Sequence, residues 1–294
     1  MSVDVSSANE WYGKISIDTQ SISNDLSGTK TDINNNESKF GVKGSFILSE
    51  GSNINLVYQA EYQFDPVDGK ARGDNGTFKQ RNTIIGIQSG FGIVFAGTHD
   101  SAFKISQLKI DLFNDLAPDI KNILHGENRL KDFIGYTTPK YFGKISATFN
   151  TIQNPLPSGK DYKSYSVNYA GEGFQAAIAV DNSMKGFDAS RFAILVPFDR
   201  YKIGFIIQKN TNLSTGIKKN GSAISYARNI GSKGTLKIQH ASSSMKIQSG
   251  KNSTLGYDYQ LSRNFKIFSF YSKFNSSNKS RVQDILSVGL EYKY

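Results

Sequence analysis

Along Leu286-Ser287-Val288-Gly289-Leu290-Glu291-Tyr292-Lys293-Tyr294, an apolar or aromatic side chain stands at every second position. Side chains on a strand point alternately to its two faces, so this spacing gives one greasy and one polar face. The same alternation recurs about sixteen times. It runs near residues 10–20, 38–49, 53–65, 77–89, 91–98, 129–137, 141–152 and 162–170, then 173–181, 188–197, 199–209, 220–229, 233–243, 250–261, 264–275 and 282–294. Ile54, Leu56, Tyr58, Ala60, Tyr62 and Phe64 fall on one side of their strand, and Asn55, Gln59, Glu61, Gln63 and Asp65 on the other. In water such a greasy face needs a second sheet, and no segment is suited to supply one. The pattern therefore predicts a face covered by lipid.

The connections alternate in length as well. Gly90, Gly171-Glu172-Gly173, Asp199-Arg200, Gly231-Ser232-Lys233 and Ser262-Arg263 read as tight turns, whereas 21–37, 66–76, 153–161, 210–219 and 244–250 read as longer polar loops. Short turns at one end and long loops at the other predict an all-β transmembrane antiparallel barrel of about sixteen strands, wide enough to hold water and forming a single domain over 1–294.

Composition permits this reading. Hydrophobic residues make up 38% of the 294 and the mean hydropathy is −0.41, but a barrel uses only alternate residues against lipid. Runs such as Phe192-Ala193-Ile194-Leu195-Val196 are far shorter than the roughly 20 residues of a membrane helix. With Tyr 15 and Phe 20 against Trp 1, the rings suit a headgroup belt. There is no cysteine, which fits an oxidising compartment and removes thiolate metal sites. The opening Met1-Ser2-Val3-Asp4 shows no signal peptide, so an exported protein is expected here in its mature form with an initiator methionine. The net charge of +10 is spread over the polar sides of the strands, unlike the clustered patch that a nucleic acid needs.

Residues 99–128 break the alternation. Phe103, Ile105, Leu108, Ile110, Leu112, Phe113, Leu116, Ile120, Ile123 and Leu124 give this stretch too much apolar surface to leave in water, and the place available for it is the barrel interior.

A series of fragments in order along the chain carries a family likeness: Tyr12-Gly13-Lys14-Ile15, Phe40-Gly41-Val42-Lys43-Gly44, Tyr62-Gln63-Phe64, Phe78-Lys79-Gln80-Arg81, Phe91-Gly92-Ile93-Val94-Phe95-Ala96-Gly97, Asp111-Leu112-Phe113, Tyr136-Thr137-Thr138-Pro139-Lys140-Tyr141-Phe142-Gly143 and the aromatic C-terminus. The chain resembles a general Gram-negative outer-membrane porin of the sixteen-stranded trimeric kind. Tyr294 stands where that family more often has Phe, Lys39 where Arg is frequent, and the Pro-Glu-Phe-Gly-Gly loop tip of the enterobacterial branch is lacking. The resemblance implies a channel for ions and small hydrophilic solutes, narrowed by the third loop, whose acids face a basic wall.

Carried onto this sequence, the basic wall is Lys14, Lys39, Lys43, Lys79, Arg81 and Arg129, the loop acids are Asp111, Asp115, Asp119 and Glu127, and Glu61 is a wall acid. Parity adds Lys131, Lys140, Lys144, Arg191, Lys202, Lys237 and Lys273 to the inward cations, against Asp18, Asp65, Asp181, Asp258 and Glu291, so a mild anion preference is expected. Gly44, Gln80, Asn82 and Gly86 fall on the lipid-facing parity and suggest contact with a neighbouring subunit of a homotrimer. The expected partners are outer-membrane lipid, further copies of the chain and small solutes, with no cofactor and no metal. A substrate-specific channel for phosphate, an organic acid or an oligosaccharide stays open; an oligosaccharide track needs lumen aromatics, and Phe133, Phe142 and Tyr271 are on that parity but scattered. A soluble β-sandwich binding module is a remoter alternative. Catalysis has little to build on: of His99, His125 and His240, the last comes nearest with Ser242, and none has metal-ligand spacing.

Overall fold

The computed structural model describes residues 9–24, 28–49, 51, 53–70, 76–152, 161–246, 250–276 and 282–294. The strands are β1 (Glu10–Asn24), β2 (Gly28–Asn35), β3 (Lys39–Ser49), β4 (Ile54–Phe64), β5 (Phe78–Ser89), β6 (Gly92–Asp100), β7 (Arg129–Thr137), β8 (Ile145–Ile152) and β9 (Tyr162–Ala170). They continue as β10 (Gln175–Met184), β11 (Phe187–Pro197), β12 (Tyr201–Asn212), β13 (Lys218–Ile230), β14 (Gly234–Ser243), β15 (Gly250–Gln260), β16 (Phe265–Ser276) and β17 (Val282–Lys293). Each strand from β3 onward pairs antiparallel with the next, and β17 returns to β1 in the register Lys14↔Lys293 to Asn24↔Gln283. The pairing of β17 with β1 closes the sheet into a barrel.

β2 and β3 are two halves of one barrel strand, since β1 pairs with β2 through residues 17–24 and with β3 through residues 10–14. Counted so, the barrel has sixteen strands. The expected loop over 21–37 is corrected here: its two ends continue as ladder, with Gln20↔Asp32 and Asn24↔Gly28 in register. β2 is almost wholly exposed, so it carries no lipid face and no greasy alternation. The expected loop over 153–161 lies mostly outside the described residues, as do parts of 66–76 and 244–250.

Leu286, Val288, Leu290 and Tyr292 face outward, 42–58% exposed, while Ile285 and Ser287 are buried on the inner side. Phe205, Ile207, Ile224, Ile238, Leu255 and Tyr257 repeat this on neighbouring strands. Moving one such side chain from water into hydrocarbon contributes about 2 kcal/mol, so a band of them fixes the barrel in lipid.

Facing departs from expectation in three strands. In β5 a bulge opposite Ala60–Tyr62 shifts the ladder, so Arg81 and Ile84 are both buried while Ile85 and Ile87 face out. Gly86 therefore shares the inner side, packed on Phe95, and does not face a neighbouring subunit. In β7, Asp132 at φ 54 adds a residue against β6; Leu130 and Phe133 are buried and Lys131 is exposed, not lumenal. In β16 the inner face is Phe268, Phe270, Ser272 and Phe274, leaving Tyr271 and Lys273 outside, opposite to expectation. Those inner aromatics serve the segment described next.

Candidate functional site

Residues 101–128 lie against the inner faces of β8 to β17. Ser101 caps a short helix α1 (Ala102–Ile105) by accepting from Lys104 N at 3.0 Å. The backbone N–H groups of Ala102 and Phe103 donate to Asn150 Oδ1 and Ser164 Oγ, at 2.5 and 2.9 Å. Ile110, Ile120, Ile123 and Leu124 form a buried cluster with Ala193, Leu195, Ile206, Ala223 and Ala241. Phe113 joins Phe268, Phe270 and Ile285. Small wall residues admit this packing: a Cβ on Gly204 would come within 2.8 Å of Ile110, and one on Gly256 within 2.6 Å of Phe113. The apolar content of the segment thus has its cover inside the barrel.

The far end of the segment is held by Arg191 on β11. Its guanidinium donates to Phe103 O (3.1 Å), His125 O (3.3 Å), Gln208 Oε1 (2.9 and 2.8 Å) and Glu127 Oε1 (2.7 Å), and it stacks 4.4 Å from the centre of the Phe103 ring. On the near end, Arg129 donates to Asp100 (3.1 Å) and Asn82 (2.8 Å), and Lys104 pairs with Asp100 at 3.0 Å.

Between these ends runs a chain of alternating charges. Lys14 of β1 pairs with Asp115 at 2.8 Å. Asp119 accepts from Asp115 N at 2.9 Å and pairs with Lys121 at 3.2 Å; Lys121 pairs with Glu37 at 2.8 Å. Glu37 also binds Arg81, which donates to Glu61 at 2.7 Å, and Glu61 accepts from Lys39 at 3.0 Å. Glu37 reaches this position because the strand breaks there: it has φ 55, and Ser38 is held by Ser16 N to its Oγ (3.0 Å) and by its own N–H to Asn35 Oδ1 (3.0 Å). Glu37 is absent from the residues read from the sequence. The signal for Glu37, a carboxylate after the polar run Asn34-Asn35-Asn36, is that of any turn.

The other expected residues are placed differently. Asp111 caps the segment's own backbone, accepting from Phe113 N and Ile120 N at 3.0 Å each, and takes Gln239 Nε2 at 3.2 Å. Asp119 and Glu127 are almost fully buried. Lys43 pairs with Glu10 at 3.1 Å, both well exposed. Lys79 is half-buried beside Gln63 in the ladder. Across the barrel a second charged row, also unforeseen in Lys266, links Lys237 to Asp258 (2.8 Å), Asp258 to Lys266 (3.3 Å) and Lys266 to Glu291 (3.1 Å).

Burial governs the titration of the segment's acids. It pushes the Asp111 carboxyl well above the usual range, with Asp119 adding to the effect, and it also raises Glu127 and, against the pull of Lys14, Asp115. For Lys121 burial acts downward, but Asp119 and Glu37 outweigh it and hold the ammonium above its ordinary value.

A cavity of about 620 Å³ separates the two charged rows. Its lining carries Lys39, Arg81, Lys104, Lys109, Lys202 and Lys237 against Asp100, Asp111, Asp115 and Asp258, six cations to four carboxylates among the described residues. A family model described as Gram-negative porin matches residues 5–279. The chain belongs to the Gram-negative porin family. No curated protein sequence matches it. Among solved structures, the porin is similar to an anion-selective porin from Comamonas acidovorans (17% identity, 98% of this chain and 99% of that chain, TM-score 0.76). It is also similar to Salmonella typhi OmpF in complex with daunomycin (15%, 97% of each chain, 0.76) and to a trimer form of OmpT of Vibrio cholerae (10%, 98% and 99%, 0.68). At these identities the likeness is one of fold. As a family member this porin is a bacterial outer-membrane protein, a water-filled channel for the passive diffusion of ions and small hydrophilic solutes.

Proposed function

We propose that residues 101–128 constrict the channel, that the constriction favours small anions, and that the porin works as a homotrimer. The observation that carries the selectivity is the six-to-four excess of cations around the central cavity. Fixed charge within a Debye length of a solute, about 10 Å at 0.1 M salt, biases its passage by sign. Lys14, Lys39, Lys79, Arg81 and Arg129 supply the basic wall with Lys43 nearer the mouth; Asp111, Asp115, Asp119 and Glu127 are partly neutralised by hydrogen bonds, ion pairs and burial.

Reversal potential in asymmetric potassium chloride across a planar bilayer tests this. Chloride preference is expected at 0.1 M, and Arg81→Ser, which releases Glu37 and Glu61 from their shared cation, should move the potential toward cations. Potassium preference in the unaltered protein would show that the acids set the field.

An oligosaccharide-specific channel finds no support in the aromatics: Phe133 is buried against Phe95, Phe142 sits exposed in a turn and Tyr271 faces outward. We read the porin as non-catalytic. His99 packs between Phe95 and Phe133, His125 stacks on Phe187, and His240 meets Ser253, not Ser242, at 2.8 Å on the outer wall. Trimer formation is supported by the outward patch on β3 to β5, where Phe40 stacks with Tyr62 and meets Phe64 at a tilt and Phe78 edge-on, with the small Gly44 further along β3 opposite Tyr58.

A further inference from the structure

Of the six cations around the central cavity, Lys39, Arg81, Lys104 and Lys237 pair with carboxylates, and Lys202 and Lys109 stand apart. No ion pair forms at either among the described residues. The charged group acting on Lys202 is Lys109. Lys202 is half-buried on the inner face of β12 and Lys109 is exposed on the constricting segment; both line the central cavity. Two ammonium groups brought together without an acid repel one another, and the arrangement becomes favourable when an anion sits between them.

The wall leaves room for that anion. In the ladder Lys202 stands opposite Ala227, and Ala227 opposite Lys237. Adjacent strands are about 4.8 Å apart, so a small residue lies between two lysines whose Cα atoms are roughly 10 Å apart. Thr235, two residues from Lys237 on the same face, adds a hydroxyl to the same cavity.

We propose that Lys202 and Lys109 form a seat for a doubly charged oxyanion of the phosphate type, resting over Ala227 with Lys237 and Thr235 at its edge. A dianion is favoured over chloride because it can satisfy both ammonium groups at once and accept the threonine hydroxyl. The seat holds its ion long enough to compete with chloride, so the channel has a saturable step for dianions within an otherwise diffusive path. This rests on the constriction reading of residues 101–128.

The test is chloride current through single channels at fixed ionic strength, titrated with inorganic phosphate at pH 7.5. The unaltered channel should lose chloride current in a saturable manner. Lys202→Gln and Lys109→Gln should each weaken the block several-fold, and Ala227→Leu, which fills the seat without changing charge, should weaken it too. Absence of block in the unaltered channel, or block retained in the double lysine variant, overturns the proposal. Block that is lost with Lys39→Gln but kept with Lys202→Gln also overturns it, since the anion then sits against the opposite wall. Ordinary chloride conductance before phosphate is added reports separately on the channel reading, and Lys202→Gln alone suffices if the leucine variant does not fold.

Discussion

Arg191 is buried completely, yet its charge is met by one carboxylate, two backbone carbonyls and an amide oxygen. Removing one partner of such a buried pair costs about 3–5 kcal/mol because the other charge is left without compensation. Arg191→Met should therefore free the Glu127 end of the segment, giving noisy and larger single-channel currents, and pairing it with Glu127→Gln should restore quiet ones. A quiet, unchanged current in the single variant would show that the apolar cluster alone holds the segment. The raised carboxyls give a second expectation. Burial raises Asp111, Asp115 and Glu127 above the ordinary carboxylate value of about 4, so as pH falls they take up protons earlier in the folded protein than in the unfolded chain. The sign follows: their contribution to stability declines as pH rises through that window, and negative charge leaves the lumen as pH falls. Reversal potential should move toward anions as pH falls toward the ordinary carboxylate value of about 4; movement toward cations would contradict the assignment.

At the scale of elements, what could be read from sequence was what lipid dictates. Strands that cross the membrane alternate because one face meets hydrocarbon, and their positions follow directly. β2 escaped because it extends the β1 hairpin with both faces in water. The bulges at Asp132 and opposite Ala60–Tyr62 shift facing by one residue without altering composition, which is why Lys131 and Gly86 were misplaced. β16 was inverted because its inner face is as aromatic as a lipid face, with Phe270 and Phe113 centroids 6.0 Å apart. Segment 99–128 was legible through its length and apolar content; its partners were not, since Glu37, Arg191 and Gln239 lie far away in sequence. Deleting residues 107–122 removes Ile110, Phe113 and Ile120 but no ladder hydrogen bond, so the barrel should still form and conduct more. Conductance unchanged in a folded channel would place the segment outside the current path.

For the whole molecule, closure explains why so polar a chain holds together. The interior of the barrel supports dense ion pairing because each charge there has a partner or reaches the water of the cavity, while the outer band supplies the transfer energy. The aromatic patch around Phe40 and Phe78 has no such role inside the barrel and is proposed to meet another copy. Unheated protein should migrate in a denaturing gel as a trimer that boiling reduces to monomer, and a monomer by light scattering in mild detergent would oppose this. Substituting Gly44 by Trp should weaken the trimer more than the barrel.

The closing seam has a consequence in time. Gly13 N donates to Tyr294 O at 3.1 Å and Tyr294 N to Gly13 O at 3.3 Å, so the first strand finds its second neighbour only in the last residues of the chain. Every intermediate short of that pairing carries two open edges, each able to template association with another chain. Joining residues so distant in sequence also delays the reward for ordering everything between them, which makes folding slow. The seam that closes the finished barrel thus leaves the unfinished one dependent on being kept apart from its own kind until its two ends meet.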